Sequence, residues 1–192
     1  MHSYVIPPLY RALSEQLTNL EVRIRTQQSS ELYLLLERGE IDIAFSLLEQ
    51  PMPNMIIEKI FSEPLVVIRK ENFPQSNQMI DLKELDPEKA LYINWHSSFR
   101  AWYDRFRGER EYPPIRVDTA QLLQTFMDIP GKWAIVPLSM AKSFEATGEF
   151  GLYQLIDPPP DRVCYQIRPR HPRPGAIESL EILDSVIKST MS

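Results

Sequence analysis

Cysteine is almost missing from this chain of 192 residues: Cys164 stands alone. One thiol cannot close an internal disulfide, so nothing in the sequence points to an oxidising compartment. Its setting, Val163-Cys164-Tyr165-Gln166-Ile167, suits a small buried hydrophobe in a strand better than a nucleophile. Histidine is nearly as scarce. His2, His96 and His171 lie far apart, and none has a partner at metal-ligand spacing, so neither a zinc site nor another cofactor is expected. No apolar run approaches the ~20 residues that span a bilayer. The N-terminus also lacks the basic-then-apolar order of a signal peptide. A cytoplasmic protein without a membrane partner is the expectation. An excess of positive charge is lacking too. The net charge of −5 and the pI near 5.3 argue against a surface that neutralises phosphates. Arg100, Arg105, Arg107 and Arg110 are interleaved with Asp104, Glu109 and Glu111, which reads as a solvated face of mixed charge. Enzyme signatures are missing as well: there is no His-Glu-x-x-His, Gly-x-Ser-x-Gly, Walker A or Cys-x-x-Cys motif.

Glycine is sparse, six residues against seventeen prolines. The prolines gather at joints, at Pro51 and Pro53, Pro113 and Pro114, Pro158 to Pro160, and Pro169, Pro172 and Pro174. Proline fixes φ and removes a donor, so these clusters separate elements. What lies between them alternates in period. Leu9, Leu13, Leu17 and Leu20 form one stripe of a first helix. Glu21-Val22-Arg23-Ile24-Arg25 then alternates as a strand would. Ser29 and Ser30 precede a helix bearing Leu32, Leu35 and Leu36, which Gly39 stops before the apolar Ile41-Asp42-Ile43-Ala44-Phe45. This is the α/β alternation of a parallel sheet. Leu65 to Ile68, Leu91 to Ile93, Ile115 to Val117, Trp133 to Val136 and Val163 to Ile167 read as further strands. Helices carrying Phe99, Trp102, Tyr103 and Phe106, then Leu122, Leu123, Phe126 and Met127, lie among them. Ser139 opens another helix, and a last one presents Ile177, Leu180, Leu183 and Ile187. The aromatic stripe is expected in the core.

The run from Pro7-Pro8-Leu9-Tyr10 through Gly39-Glu40-Ile41-Asp42-Ile43-Ala44, with Glu63-Pro64-Leu65-Val66 after it, resembles the effector-binding domain of LysR-type transcriptional regulators. Val117-Asp118-Thr119, and the later Gly131-Lys132-Trp133-Ala134-Ile135-Val136-Pro137, are similar to that family's second-domain helix, glycine turn and strand. The resemblance runs from Ile6 to about Ile187. It implies an α/β fold of two Rossmann-like lobes about a central cleft, like a type 2 periplasmic binding protein. Lobe I is expected at 1–67 plus 163–192 and lobe II at 68–162. The resemblance also implies a homodimer or tetramer, and DNA contact only through an N-terminal winged helix-turn-helix that precedes this chain's Met1. The family's first strand and the hydroxyl residues of its loop fall before Met1 as well. Where the family usually has Gly-x-Gly, Trp133 stands in the last position and is expected to narrow the cleft.

A small anionic metabolite is the expected ligand. Two helix N-termini, opened by Gln28-Ser29 and by Ser97-Ser98, offer unpaired N–H groups and the positive end of a macrodipole. Thr119, at a strand-to-helix turn, is a third candidate, and Arg100 is in reach of a carboxylate. Plain capping is the competing reading for Ser29 and Ser97, and a surface ion pair for Arg100. Asp42 is assigned a structural role. Two other functions compete with sensing. A solute-binding protein of a transporter would need a signal peptide or a lipidated cysteine, and an enzyme on this fold would need an acid–base or nucleophile constellation. The sequence offers none of these, so a non-enzymatic sensor is the reading carried forward.

Overall fold

The computed structural model describes Arg11, residues 22–108 and residues 111–191. Two compact units divide the chain. One runs to Ser62 and resumes at Val163, and the other is Glu63–Arg162. The expected first helix, Pro7 to Leu20, lies outside the described residues except for Arg11.

In the discontinuous unit, helix α1 spans Ser29–Glu37 and buries Leu32, Tyr33 and Leu36. Gly39 follows at φ +67°, the left-handed conformation that ends a helix cheaply only for glycine. Strands β1 (Ala44–Ser46) and β2 (Met55–Glu63) flank β9 (Arg162–Pro169) in the order β1-β9-β2. β9 runs antiparallel to β1, with Ala44 opposite Ile167. Its Cys164 is fully buried, the place of a small hydrophobe. Helix α5 (Ile177–Met191) packs Val186 and Ile187 against Phe45 and Ile60. The strand expected at 21–25 does not form. Residues 22–28 have no regular structure, and Val22 and Ile24 are 39% and 55% exposed. Alternation makes a strand only where a neighbour accepts its hydrogen bonds. None of the described strands pairs with this segment.

The continuous unit is a six-stranded sheet in the order β4-β8-β3-β7-β5-β6. The strands are β3 (Leu65–Lys70), β4 (Ser76–Ile80), β5 (Ala90–Ile93), β6 (Ile115–Val117), β7 (Trp133–Pro137) and β8 (Phe150–Leu155). β3 is antiparallel to both neighbours, while β5 runs parallel to β6 and β7. Because β3 pairs wholly inside this sheet, the first crossing between units comes at Ser62–Glu63, earlier than the expected residue 67. The polar turn after Ile68 marks only the end of a strand. Near the edge, Gly151 lets β8 approach its neighbours closely. A Cβ there would meet Tyr153 Cε2 at 2.7 Å and the Gln75 carbonyl at 2.9 Å.

Each of three parallel strands is followed by a helix: β5 by α2 (Ser97–Arg107), β6 by α3 (Ala120–Phe126) and β7 by α4 (Leu138–Glu145). The three helix starts therefore lie along one edge of the sheet. The aromatic stripe of α2 is core, as its spacing implies. Phe99, Trp102 and Tyr103 are buried, and their rings stack or tilt on one another and on Tyr92. Burying about 150–250 Å² per aromatic side chain makes this cluster the main apolar anchor of the unit.

Candidate functional site

The edge where β5, β6 and β7 end carries the starts of α2, α3 and α4. After β5 the chain turns through Asn94-Trp95-His96 into α2. His96 is the N-cap, and its Nδ1 accepts the backbone N–H of Phe99 at 3.1 Å. The cap is therefore a histidine, and Ser97 does not serve as one. Ser97 and Ser98 are both exposed in the first turn, where backbone amides have no intrahelical acceptor. An accepting Nδ1 keeps the ring proton on Nε2, which is buried and has no partner among the described residues. Burial, and then the nearby Arg162 cation, lower the pKa of this imidazole.

Thr119 caps α3, its Oγ1 accepting from the Leu122 amide at 3.3 Å. It lies on the same sheet edge as Ser97 and Ser98, because β5 and β6 are adjacent and parallel. Arg100 stands one turn into α2 with its side chain 65% exposed, and Asp104 is 3.8 Å away. Such a surface pair contributes little and leaves the guanidinium free to turn. Asp104 itself is held below the usual carboxylate range by the Tyr112 hydroxyl and by Arg107. Burial pushes the Tyr103 hydroxyl up to about 12, so the aromatic cluster behind α2 contributes no charge near neutrality.

Gln28 and Ser29 stand at the start of α1, in the other unit. Gln28 is its N-cap without a side-chain bond, and its carbonyl accepts the amides of Glu31 and Leu32. Ser29 is half-buried as the first helical residue and is not the cap. Ser97 and Ser98 follow a strand end, whereas no strand among the described residues precedes α1.

Trp133 is packed inside the continuous unit. It begins β7, at the opposite end of that strand from the helix starts. It is 5% exposed, and its indole N–H donates to the Asp86 carbonyl at 2.8 Å. Asp42 accepts from Arg173 Nη2 at 2.6 Å in an exposed pair. Asp42 and Arg173 border an open concavity of about 510 Å³ over Leu36, Met52 and Met55. It lies at the C-terminal end of α1, away from Ser29, and none of the expected ligand residues lines it. Among the described residues, no group of three His, Cys, Asp or Glu is placed to hold a metal.

Sequence reasoning missed a buried ion pair beside this edge. Glu63 and Arg162 are 7% and 2% exposed, with Arg162 Nε donating to Glu63 Oε1 at 3.0 Å. The second carboxylate oxygen accepts the Ser139 amide at 2.7 Å, in the first turn of α4. The Arg162 guanidinium lies 5.8 Å from the centre of the Trp95 ring. Trp95 Nε1 in turn donates to the Ile135 carbonyl at 2.8 Å.

The model of the LysR substrate binding domain family matches residues 1–183. No curated protein matches the chain. Among solved structures, it is similar to the regulatory domain of MexT, a transcriptional activator in Pseudomonas aeruginosa, at a TM-score of 0.74 or better: the value is 0.78, with 17% identity over 98% of this chain and 94% of that one. The reduced form of the OxyR regulatory domain from Pseudomonas aeruginosa gives a TM-score of 0.74 at 17% identity, covering 98% and 93%. Full-length CbnR complexed with its target DNA gives 0.71 at 16% identity, covering 97% of this chain and 65% of that one.

Proposed function

Because this chain belongs to the LysR substrate-binding domain family, we propose that it senses a small anionic metabolite and passes the signal to a DNA-binding head of the same regulator. The observation that carries the ligand chemistry is the start of α2. There His96 takes the capping bond from the Phe99 amide, and Ser97 and Ser98 stand exposed in the first turn. Unpaired N–H groups at the positive end of a helix suit a carboxylate, and hydroxyl donors discriminate its shape. Ser97, Ser98 and Thr119 form one half of the proposed site, with Arg100 as a mobile cation beside it. Gln28 and Ser29, at the start of α1 in the discontinuous unit, are the remaining proposed ligand residues, and the family's fold is two-lobed and type 2 periplasmic-binding-protein-like.

Effector binding shifts a regulator only by its differential affinity for two arrangements of the lobes. In this reading the sensor works as a homodimer or tetramer in the cytoplasm, touches DNA only through its head, and performs no catalysis. No helix among the described residues is long and apolar enough to cross a membrane. The family match favours sensing over transport or catalysis. The test is a thermal-shift screen across organic acids and amino acids. An effector held at ~100 times its Kd should add roughly 2.7 kcal/mol of stability. A screen in which anionic metabolites raise the midpoint no more than neutral sugars do would sink the anion reading.

A further inference from the structure

The chain passes between its two units only at Ser62–Glu63 and at Arg162–Val163. The residues on the inner side of those passages, Glu63 and Arg162, are 99 positions apart in sequence and bound to each other. We infer that this pair is a clasp: it makes the two passages bend as one body and ties both to the loops that carry the proposed effector site. The inference deepens the sensing function and rests on it for its purpose, though not for its test.

Three observations carry it. First, the pair is buried, 7% and 2% exposed. Withdrawing two charges from water is a poor way to gain stability, and an apolar pair of the same volume commonly does as well. What the pair adds is direction, since an arginine fork and a carboxylate accept few geometries. Second, both carboxylate oxygens are occupied. Oε1 takes Arg162, while Oε2 takes the Ser139 amide at 2.7 Å, and the adjacent Pro64 carbonyl takes the Leu138 amide at 3.0 Å. The first passage is therefore fixed to the start of α4. Third, Arg162 lies over Trp95, which is next to the cap His96 of α2 and is itself bonded to β7 through the Ile135 carbonyl. The second passage is thus fixed to the loop that presents Ser97 and Ser98. A ligand that shifts the start of α2 or α4 pulls on both passages through one rigid contact.

The experiment needs no effector. Spin labels on Glu37→Cys in α1 and Gln124→Cys in α3, both exposed positions, report the distance between units by pulsed electron resonance in a Cys164→Ala background. The double variant Glu63→Leu/Arg162→Met removes the clasp without stranding a charge. It should melt as cooperatively as the unsubstituted chain while its distance distribution becomes at least about twice as wide. If the double variant does not fold, Arg162→Lys, which keeps the charge and loses the fork and the ring contact, is read by the same criterion. A folded variant with an unchanged distribution, even one with a lower Tm, shows a merely structural pair and overturns the inference. Since no ligand enters the measurement, its failure leaves the sensing function standing, and a barren effector screen leaves the clasp standing.

Discussion

His96 holds α2 by accepting the Phe99 amide on Nδ1, so the cap exists only while that nitrogen is unprotonated. Burial, then Arg162, lower its pKa from the ordinary 6.5. As pH falls through that value, the unfolded chain takes up a proton that the folded chain still refuses. Stability from this residue is therefore complete above 6.5 and lost progressively below it. We expect the unfolding midpoint to drop between about pH 7.5 and about pH 5.5. His96→Asn keeps an accepting cap but cannot titrate in that range, so it should drop less; equal losses in both proteins would refute the assignment. At the proposed site, Ser29→Ala and Ser98→Ala should each weaken effector binding by about tenfold, through one lost charge-assisted bond. The folding midpoint should stay nearly unchanged, because neither hydroxyl caps its helix. Titration calorimetry that returns native affinity for both variants would remove them from the site. The serines were legible because hydroxyl residues before an apolar periodic run announce a helix start. The bond between Glu63 and Arg162 was not, since nothing in a sequence couples positions 99 apart. The capping role of His96 was not legible, because serine, threonine, aspartate and asparagine are the residues that mark that position.

Elements were legible in proportion to how one-sided or how apolar they are. β3 and β7 are buried along most or all of their length and announce themselves as unbroken apolar runs. α2 shows its aromatic stripe at helical spacing. By contrast β4, the edge strand Ser-Asn-Gln-Met-Ile, is mostly polar, and β8 is interrupted by Gly151, so neither pattern reads as a strand. β2 mixes its periods across nine residues. The opposite error at 21–25 shows that alternation alone is not enough without a partner strand. Within α2 the decisive side chain is Phe99, 1% exposed and ringed by Tyr92, Trp102 and Tyr103. Phe99→Ala should cost about 3–5 kcal/mol, as lost transfer energy plus a cavity. Urea unfolding followed by Trp fluorescence measures it, and a loss near that of an exposed position such as Arg105→Ala would contradict the core assignment.

At the scale of the whole molecule, composition and periodicity indicated α/β architecture but could not show that the tail rejoins the head. Only the family resemblance carried that step, because a discontinuous unit leaves no local mark. Even so, the first junction was misplaced, since a polar turn after Ile68 looks the same at a strand end as at a crossing. Assembly is the other large-scale expectation. The chain should form a homodimer, with light scattering at tens of micromolar giving twice the chain mass of 22.4 kDa. A mass of one chain at that concentration would contradict it.

The strand order also sets a sequence of events during synthesis. Every strand of the six-stranded sheet lies between Leu65 and Leu155, so that unit has all its partners once residue 162 has left the ribosome. β1 and β2 are made earlier, yet they are joined only through β9, which is made later. Among the described strands, the first made are therefore the last to be paired, and they wait while about a hundred residues fold between them. The brevity of β1 and the charged residues Glu58 and Lys59 within β2 are protection for them in that interval. Chaperone demand should thus fall on β1 and β2 and end when Arg162 to Pro169 slides between them.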